Sequence, residues 1–186
     1  LRTLIDPITA QRLLEAQAAT GGIIDISNKE RYKVHKAAQR GLIEDSQVQR
    51  LLNAEKAFTG VEDPMTKELL SVGEAVQKGW MPKDSAIRHM EAQHLTGGLV
   101  DPNNGRRISL LDAIESKKID STTKKDLQTG EHSVRDIIDP ITKEKISYKQ
   151  ALDRCRKDPA SGLPMLPASS KPSYSPTYCS SRYFNV

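Results

Sequence analysis

The sequence predicts an α+β repeat protein: about 4.5 stacked 38-residue units, each a short β-hairpin followed by two antiparallel α-helices, forming one globular module. Three observations lead there. Asp25, Asp63, Asp101 and Asp139 recur every 38 residues, as do Ala37, Ala75, Ala113 and Ala151, and self-similarity at a fixed period is the mark of a repeat architecture. Within a unit, the run Gly97-Gly98-Leu99-Val100-Asp101-Pro102-Asn103-Asn104-Gly105-Arg106-Arg107-Ile108 has short apolar flanks around an Asn-Gly turn, a strong hairpin signal. Finally, 37% of the 186 residues are hydrophobic but only eight are aromatic, so the core must be built from Leu, Ile, Val and Ala, which suits small regular units.

The elements follow in order. Asp6 caps a first long helix over about 5–19, where Pro7 fits the first helical position because no amide hydrogen is needed there. Full hairpin–helix–helix units are expected at 20–57, 58–95 and 96–133, and a last hairpin and helix at 134–157. Ser71, Ser109 and Ser147 share one column, just before each short helix, where a hydroxyl can accept from free first-turn amides. Gly41 and Gly79 end two of those helices, since glycine tolerates the left-handed C′ conformation. The polar stretch Ser121–Gln128, with Asp126 in a column that elsewhere holds Arg12, Arg50 and Arg88, predicts a short last long helix. Helices below about 12–15 residues are marginal alone, so neighbouring units must supply the core. Residues 1–167 read as the repeat domain. Residues 168–186 read as a Ser/Pro/Tyr-rich tail, and Leu163, Met165 and Leu166 as anchors just before it.

Composition narrows the function. No apolar run reaches the roughly 18–20 residues of a membrane span, and the amino end lacks a signal-peptide stretch, so a soluble intracellular chain without membrane insertion is expected. Cys155 and Cys179 form neither a disulfide framework nor zinc knuckles. The net charge is +4; residues 104–157 hold thirteen basic and nine acidic groups, which places the excess in the carboxy-terminal third. No dense basic stripe with interleaved aromatics is present, so nucleic acid is not an expected partner.

Candidate reactive sites fail on geometry. Gly21-Gly22 and Gly97-Gly98 precede strands instead of opening a helix before Lys-Ser/Thr, so they cannot form a phosphate loop. His89 and His94 stand about 140° apart around a helix and share no face for a metal. Asp101-Pro102-Asn103-Asn104-Gly105 carries its glycine at the fifth position, not the sixth of a calcium loop, and reads as a turn. His35 and His132 belong to no nucleophile constellation. No cofactor, no metal and no enzymatic activity are predicted. What remains is surface: repeat proteins commonly bind through an extended face, and Lys and Arg recur there.

Arg12-Leu13-Leu14-Glu15-Ala16-Gln17-Ala18-Ala19-Thr20-Gly21-Gly22-Ile23-Ile24-Asp25, Leu95–Pro102 and Asp139–Tyr148 resemble the plectin repeat, and the chain resembles a plakin repeat domain over about residues 4–167. Ile26, Asp136 and the polar last helix depart from that pattern. The resemblance implies a cytoskeletal cytolinker module in the cytoplasm, at desmosomes or other junctions or in the cornified envelope. It implies intermediate-filament proteins (vimentin, keratins) as partners, with other plakins reached through the rest of a longer chain. Filament rods are acidic coiled coils, so a basic groove lined by Lys67, Lys78, Lys83, Arg88, Arg106 and Arg107 is the expected contact. The alternative is a scaffold or self-association module regulated by the tail.

Overall fold

The computed structural model describes residues 6–130, 133–159 and 162–167. The expectation for the tail at 168–186 lies outside them. A long helix α1 (Pro7–Thr20) opens the described chain; Asp6 accepts from the Thr9 amide and Pro7 occupies its first turn, as expected. Three repeats of one pattern follow. Hairpin β1–β2 (Ile23–Asp25, Glu30–Tyr32) leads to α2 (Val34–Gln39) and α3 (Asp45–Thr59). Hairpin β3–β4 (Val61–Glu62, Leu69–Leu70) leads to α4 (Val72–Gln77) and α5 (Lys83–Leu95). Hairpin β5–β6 (Leu99–Asp101, Arg106–Ile108) leads to α6 (Leu110–Glu115) and α7 (Ser121–Thr129). A further hairpin β7–β8 (Ile137–Ile138, Lys145–Ile146) precedes α8 (Tyr148–Arg154), after which β9 (Arg156–Lys157) pairs with β10 (Pro164–Met165). That last pair has no counterpart in the repeat columns; just beyond it Leu166 is buried at 2% exposure, in keeping with its expected anchoring role.

Recurrence of Asp every 38 residues has a local cause. Each carboxylate accepts the amide two residues on: Asp25 from Ser27, Asp63 from Met65, Asp101 from Asn103 and Asp139 from Ile141, at 2.8–3.1 Å. These Asx turns start the hairpin bends. Each bend then passes through a left-handed residue in one column: Lys29 (φ 58°), Lys67 (φ 64°), Gly105 (φ 71°) and Lys143 (φ 63°). Serine capping also holds: Ser71, Ser109 and Ser147 accept from the amides of Glu74, Asp112 and Gln150.

The structure nevertheless alternates with a period of 76 residues. Hairpins one and three have three residue pairs; hairpins two and four have two. Gly22 and Gly98 sit in the first kind, where a Cβ would lie 2.7 Å from the Tyr32 carbonyl oxygen and 2.6 Å from that of Ile108. Close approach of the second strand therefore requires glycine, and the fourth hairpin, with Asp136 in this column, is built differently.

Packing departs from an open stack in which each unit meets only its neighbours. Helix α1 touches both α3 and α5, and it also reaches the fourth hairpin, where the Ile138 amide donates to Thr9 Oγ1 at 2.8 Å. Nine of its fourteen residues are buried. Leu14 and Ala18 join the first-repeat core with Leu51 and Val34, Ala19 joins a central core with Met90, Leu99 and Leu127, and Leu13 packs with Ile137, Ile146 and Leu166. The helix that begins the repeat series is thus an axis of the module, contributing to three cores from different sides and burying Thr9, Gln17 and Thr20 among its apolar residues. As predicted, α7 is short, and it buries only Thr123 and Leu127.

Candidate functional site

Cationic side chains divide by what their heads touch. At the carboxyl ends of α1 and α5, backbone carbonyls lack intrahelical donors. Arg31 fills this need for α1, donating to Gln17 O (2.7 Å), Gly22 O (3.0 Å) and Thr20 Oγ1 (2.8 Å). Arg107, 76 residues on, donates to Gln93 O (2.9 Å), Gly98 O (2.7 Å) and Thr96 Oγ1 (3.4 Å). Loss of water around the Arg31 head lowers its pKa to about 10, with Arg107 lowering it further against the pull of Tyr148; burial lowers Arg107 too. Arg107 is therefore a helix cap as much as a surface cation.

Hairpins two and four use cations another way. Lys78 Nζ lies 3.0 Å from Asp63 Oδ2, and Arg154 Nη1 lies 2.7 Å from Asp139 Oδ2. The Met65 amide first, then Lys78, hold the Asp63 carboxyl down at about 2. Burial would raise Asp139, but the bonds from Arg154 and from the Ile141 and Thr142 amides outweigh it. Asp136, the departure from the glycine column, accepts from Arg12 Nε at 2.8 Å and Arg88 Nη1 at 2.6 Å. It clamps α1 and α5 to the fourth hairpin.

Behind this clamp lies a cavity of about 40 Å³ between α1, α5, the fourth hairpin and α8. Arg12, Glu15, Arg88, His89, Glu91, Asp136 and Tyr148 line it. Burial pushes His89 down to about 4, with Arg88 and Arg12 lowering it further against Glu15, so the imidazole is neutral near pH 7. Burial raises Glu91, partly offset by the Ser133 hydroxyl that donates to it at 2.8 Å. The cavity's arginines are matched by carboxylates, which makes it an electrostatic joint between elements. Among the described residues, no group of three or more His, Cys, Asp or Glu could hold a metal, and no helix is long and apolar enough to cross a membrane.

The six residues expected to line a basic groove are distributed unevenly. Lys67 stands at the left-handed turn of the second hairpin with 72% of its side chain exposed and Glu62 4.0 Å away. Arg106 is exposed on the third hairpin, which meets the second where Asn103 Nδ2 donates to Leu69 O at 3.3 Å. Lys83 is exposed at the start of α5, near enough to Asp120 to help lower that carboxyl. Lys78 shares its charge with Asp63, while Arg88 and Arg107 are committed to internal bonds. Lys67 and Arg106 are brought onto adjoining hairpins; Arg88 faces the fourth hairpin instead.

A further positive surface lies on the first repeat. Residues 29–40 carry five cations, Lys29, Arg31, Lys33, Lys36 and Arg40, against Glu30 alone, an excess equal to that of the whole chain. Across residues 1–103 this local excess is offset by acidic residues elsewhere, thirteen basic against fourteen acidic, so that stretch as a whole carries no positive signal. Here Arg40 and Lys36 lie 4.5 and 5.3 Å from the Tyr32 ring centroid, a cation–π arrangement that holds both heads over one ring. Arg31, Lys33, His35 and Lys36 line an open concavity of about 650 Å³, with Glu30 and Glu55 at its edges. Glu55 is occupied as acceptor for the Val34 amide at 2.8 Å, and Glu30 as acceptor for the Tyr32 hydroxyl.

The described residues form a charged exterior on a tightly capped repeat body. The family model described as Plectin repeat matches residues 13–51 and 89–127, so the chain carries plectin repeats, consistent with a plakin repeat domain. Each match runs from a long helix through hairpin one or three to the next long helix, and the two are offset by the same 76 residues as the arginine caps. A search of curated proteins finds no match to the chain. Plectin repeats are a structural cytoskeletal family rather than an enzyme family, and the two matches point to a cytoskeletal linker module.

Proposed function

We propose that this chain is a non-enzymatic cytolinker module that binds intermediate filaments, vimentin or keratins, in the cytoplasm through electrostatic complementarity to their acidic coiled-coil rods. One observation carries it: the concentration of five cations against one carboxylate on Lys29–Arg40, four of them outside the Arg31 helix cap, around an open concavity. Lys67, Lys78, Lys83, Arg88, Arg106 and Arg107 extend the basic character across the second and third repeats, with Lys67, Lys83 and Arg106 supplying the heads least engaged at home. Opposed potentials set on-rate and register more than affinity, so each contact is weak and screened by salt. A filament presents the same rod many times, which turns weak contacts into avid ones. Desmosomes, other junctions and the cornified envelope are the sites where such a linker would act.

Co-sedimentation with vimentin or keratin filaments across a salt series tests this. Binding should fall steeply with salt. It should also fall in Lys33→Glu/Lys36→Glu and in Lys67→Glu/Arg106→Glu. Binding that ignores both salt and these reversals overturns the proposal.

A further inference from the structure

We infer that Ser109 is a phosphorylation site for a protein kinase that selects arginine upstream of its target, and that its phosphate opposes binding of acidic partners. Only the second half rests on the filament reading above.

Three independent observations meet at this serine. Arg106-Arg107 is the sole Arg-Arg pair in the sequence, and it stands three and two residues before Ser109, where such kinases read guanidinium groups with their own carboxylates. Ser71 and Ser147 occupy the same cap column but are buried, at 5% and 7% exposure, and carry Glu68 and Glu144 three residues before them. Ser109 and Arg106 are both exposed. Lastly, the segment is already extended: Arg106–Ile108 forms β6, and Ser109 continues it at φ −72°, ψ 166°. Strand β6 pairs only with β5 in a two-stranded sheet, so no other described strand occupies its far edge, the side an extended-peptide cleft would engage. Arg107 stays in its helix cap, leaving Arg106 as the residue read. Leu110 is buried at 6%, so the first turn of α6 must loosen; with six residues, that helix has little cooperativity to lose.

In the transfer, the kinase's base takes the hydroxyl proton as Ser109 Oγ bonds to the γ-phosphorus of ATP. The bond from that phosphorus to the β,γ-bridging oxygen breaks, and ADP leaves. The ester carries a charge of about −1.5 to −2. Placed at the end of the strand bearing Arg106 and Arg107, it roughly cancels their charge toward an acidic rod.

The test uses the folded chain with magnesium-ATP and the catalytic subunit of cyclic-AMP-dependent protein kinase, with sites mapped by mass spectrometry. About one phosphate per chain should appear on Ser109, be lost in Ser109→Ala, slow about tenfold in Arg106→Ala, and be absent from Ser71 and Ser147. A folded chain that stays unmodified at Ser109, while the urea-unfolded chain diluted into the same kinase is labelled, overturns the site. Phosphorylated chain should then co-sediment with vimentin filaments about tenfold more weakly at low salt. Equal binding of both forms overturns the regulatory half while leaving the site standing. If the unmodified chain fails to bind filaments at all, the filament reading falls, and with it the regulatory half, while the mapping still decides the site.

Discussion

The side-chain amide nitrogen of Gln93 donates to the carbonyl oxygen of Ala19, 74 residues earlier, at 2.8 Å. Its second hydrogen goes to Ala57 O at 2.9 Å, and its Oε1 accepts from the Val100 amide at 3.1 Å. One side chain, 1% exposed, thereby ties the ends of α1, α3 and the third hairpin to α5. Leaving buried backbone groups unpaired costs about 1–3 kcal/mol each. Gln93→Ala should lower stability by about 3 kcal/mol or more in urea unfolding, while the exposed Gln39→Ala stays within about 0.5 kcal/mol.

Lys117 occupies the column of Gly41 and Gly79, which end α2 and α4, and shares their left-handed backbone at φ 60°. A lysine there bears strain that glycine does not. Lys117→Gly should raise the urea midpoint, with a gain of about 0.5–1 kcal/mol. A loss would show that the lysine side chain makes a compensating contact.

His89 stands where the other copies place Leu13, Leu51 and Leu127. Its folded pKa, about 4, lies below the ordinary 6.5 because burial first, then Arg88 and Arg12, disfavour the cation against Glu15. Between those values the unfolded chain binds a proton that the folded chain refuses, so stability is full above pH 6.5 and falls as the pH drops toward 4. The loss should reach roughly 3 kcal/mol at the acid end. Thermal melts at stepped pH should show His89→Leu with a shallower slope across this window; parallel slopes would refute the assignment.

Asp136 joins Arg12 and Arg88 in a three-way ion pair of which each member is about a quarter to a third exposed. Asp136→Ala should cost about 1–2 kcal/mol. A double-mutant cycle with Arg88→Ala should return a coupling of at least about 0.5 kcal/mol. Additive effects would mean that the clamp is held by packing of Ile137 and Leu13 alone.

Much of the fold was legible because it rests on local chemistry. Asp25, Asp63, Asp101 and Asp139 recur because each closes its own turn, and Ser71, Ser109 and Ser147 because each caps the helix beside it. Arg107 was not legible as a cap, since its acceptors are carbonyls of α5 and the Gly98 turn, up to fourteen residues earlier. Asp136 looked like a flaw in a glycine column; its partners sit 124 and 48 residues away. The Lys29–Arg40 surface does not show in the charge of residues 1–103 because acidic residues elsewhere in that stretch offset it.

By itself the sequence determined the 38-residue unit, its hairpins, its caps and the order of its helices, because turns and caps are decided within a few residues of the chain. Tertiary structure alone decided that α1 runs through the centre, that the fourth hairpin closes onto it, and which arginines are used at home. Those outcomes depend on which carbonyls and carboxylates distant segments bring within hydrogen-bonding reach, and a repeat that is uniform along the chain carries no mark of where its ends will meet.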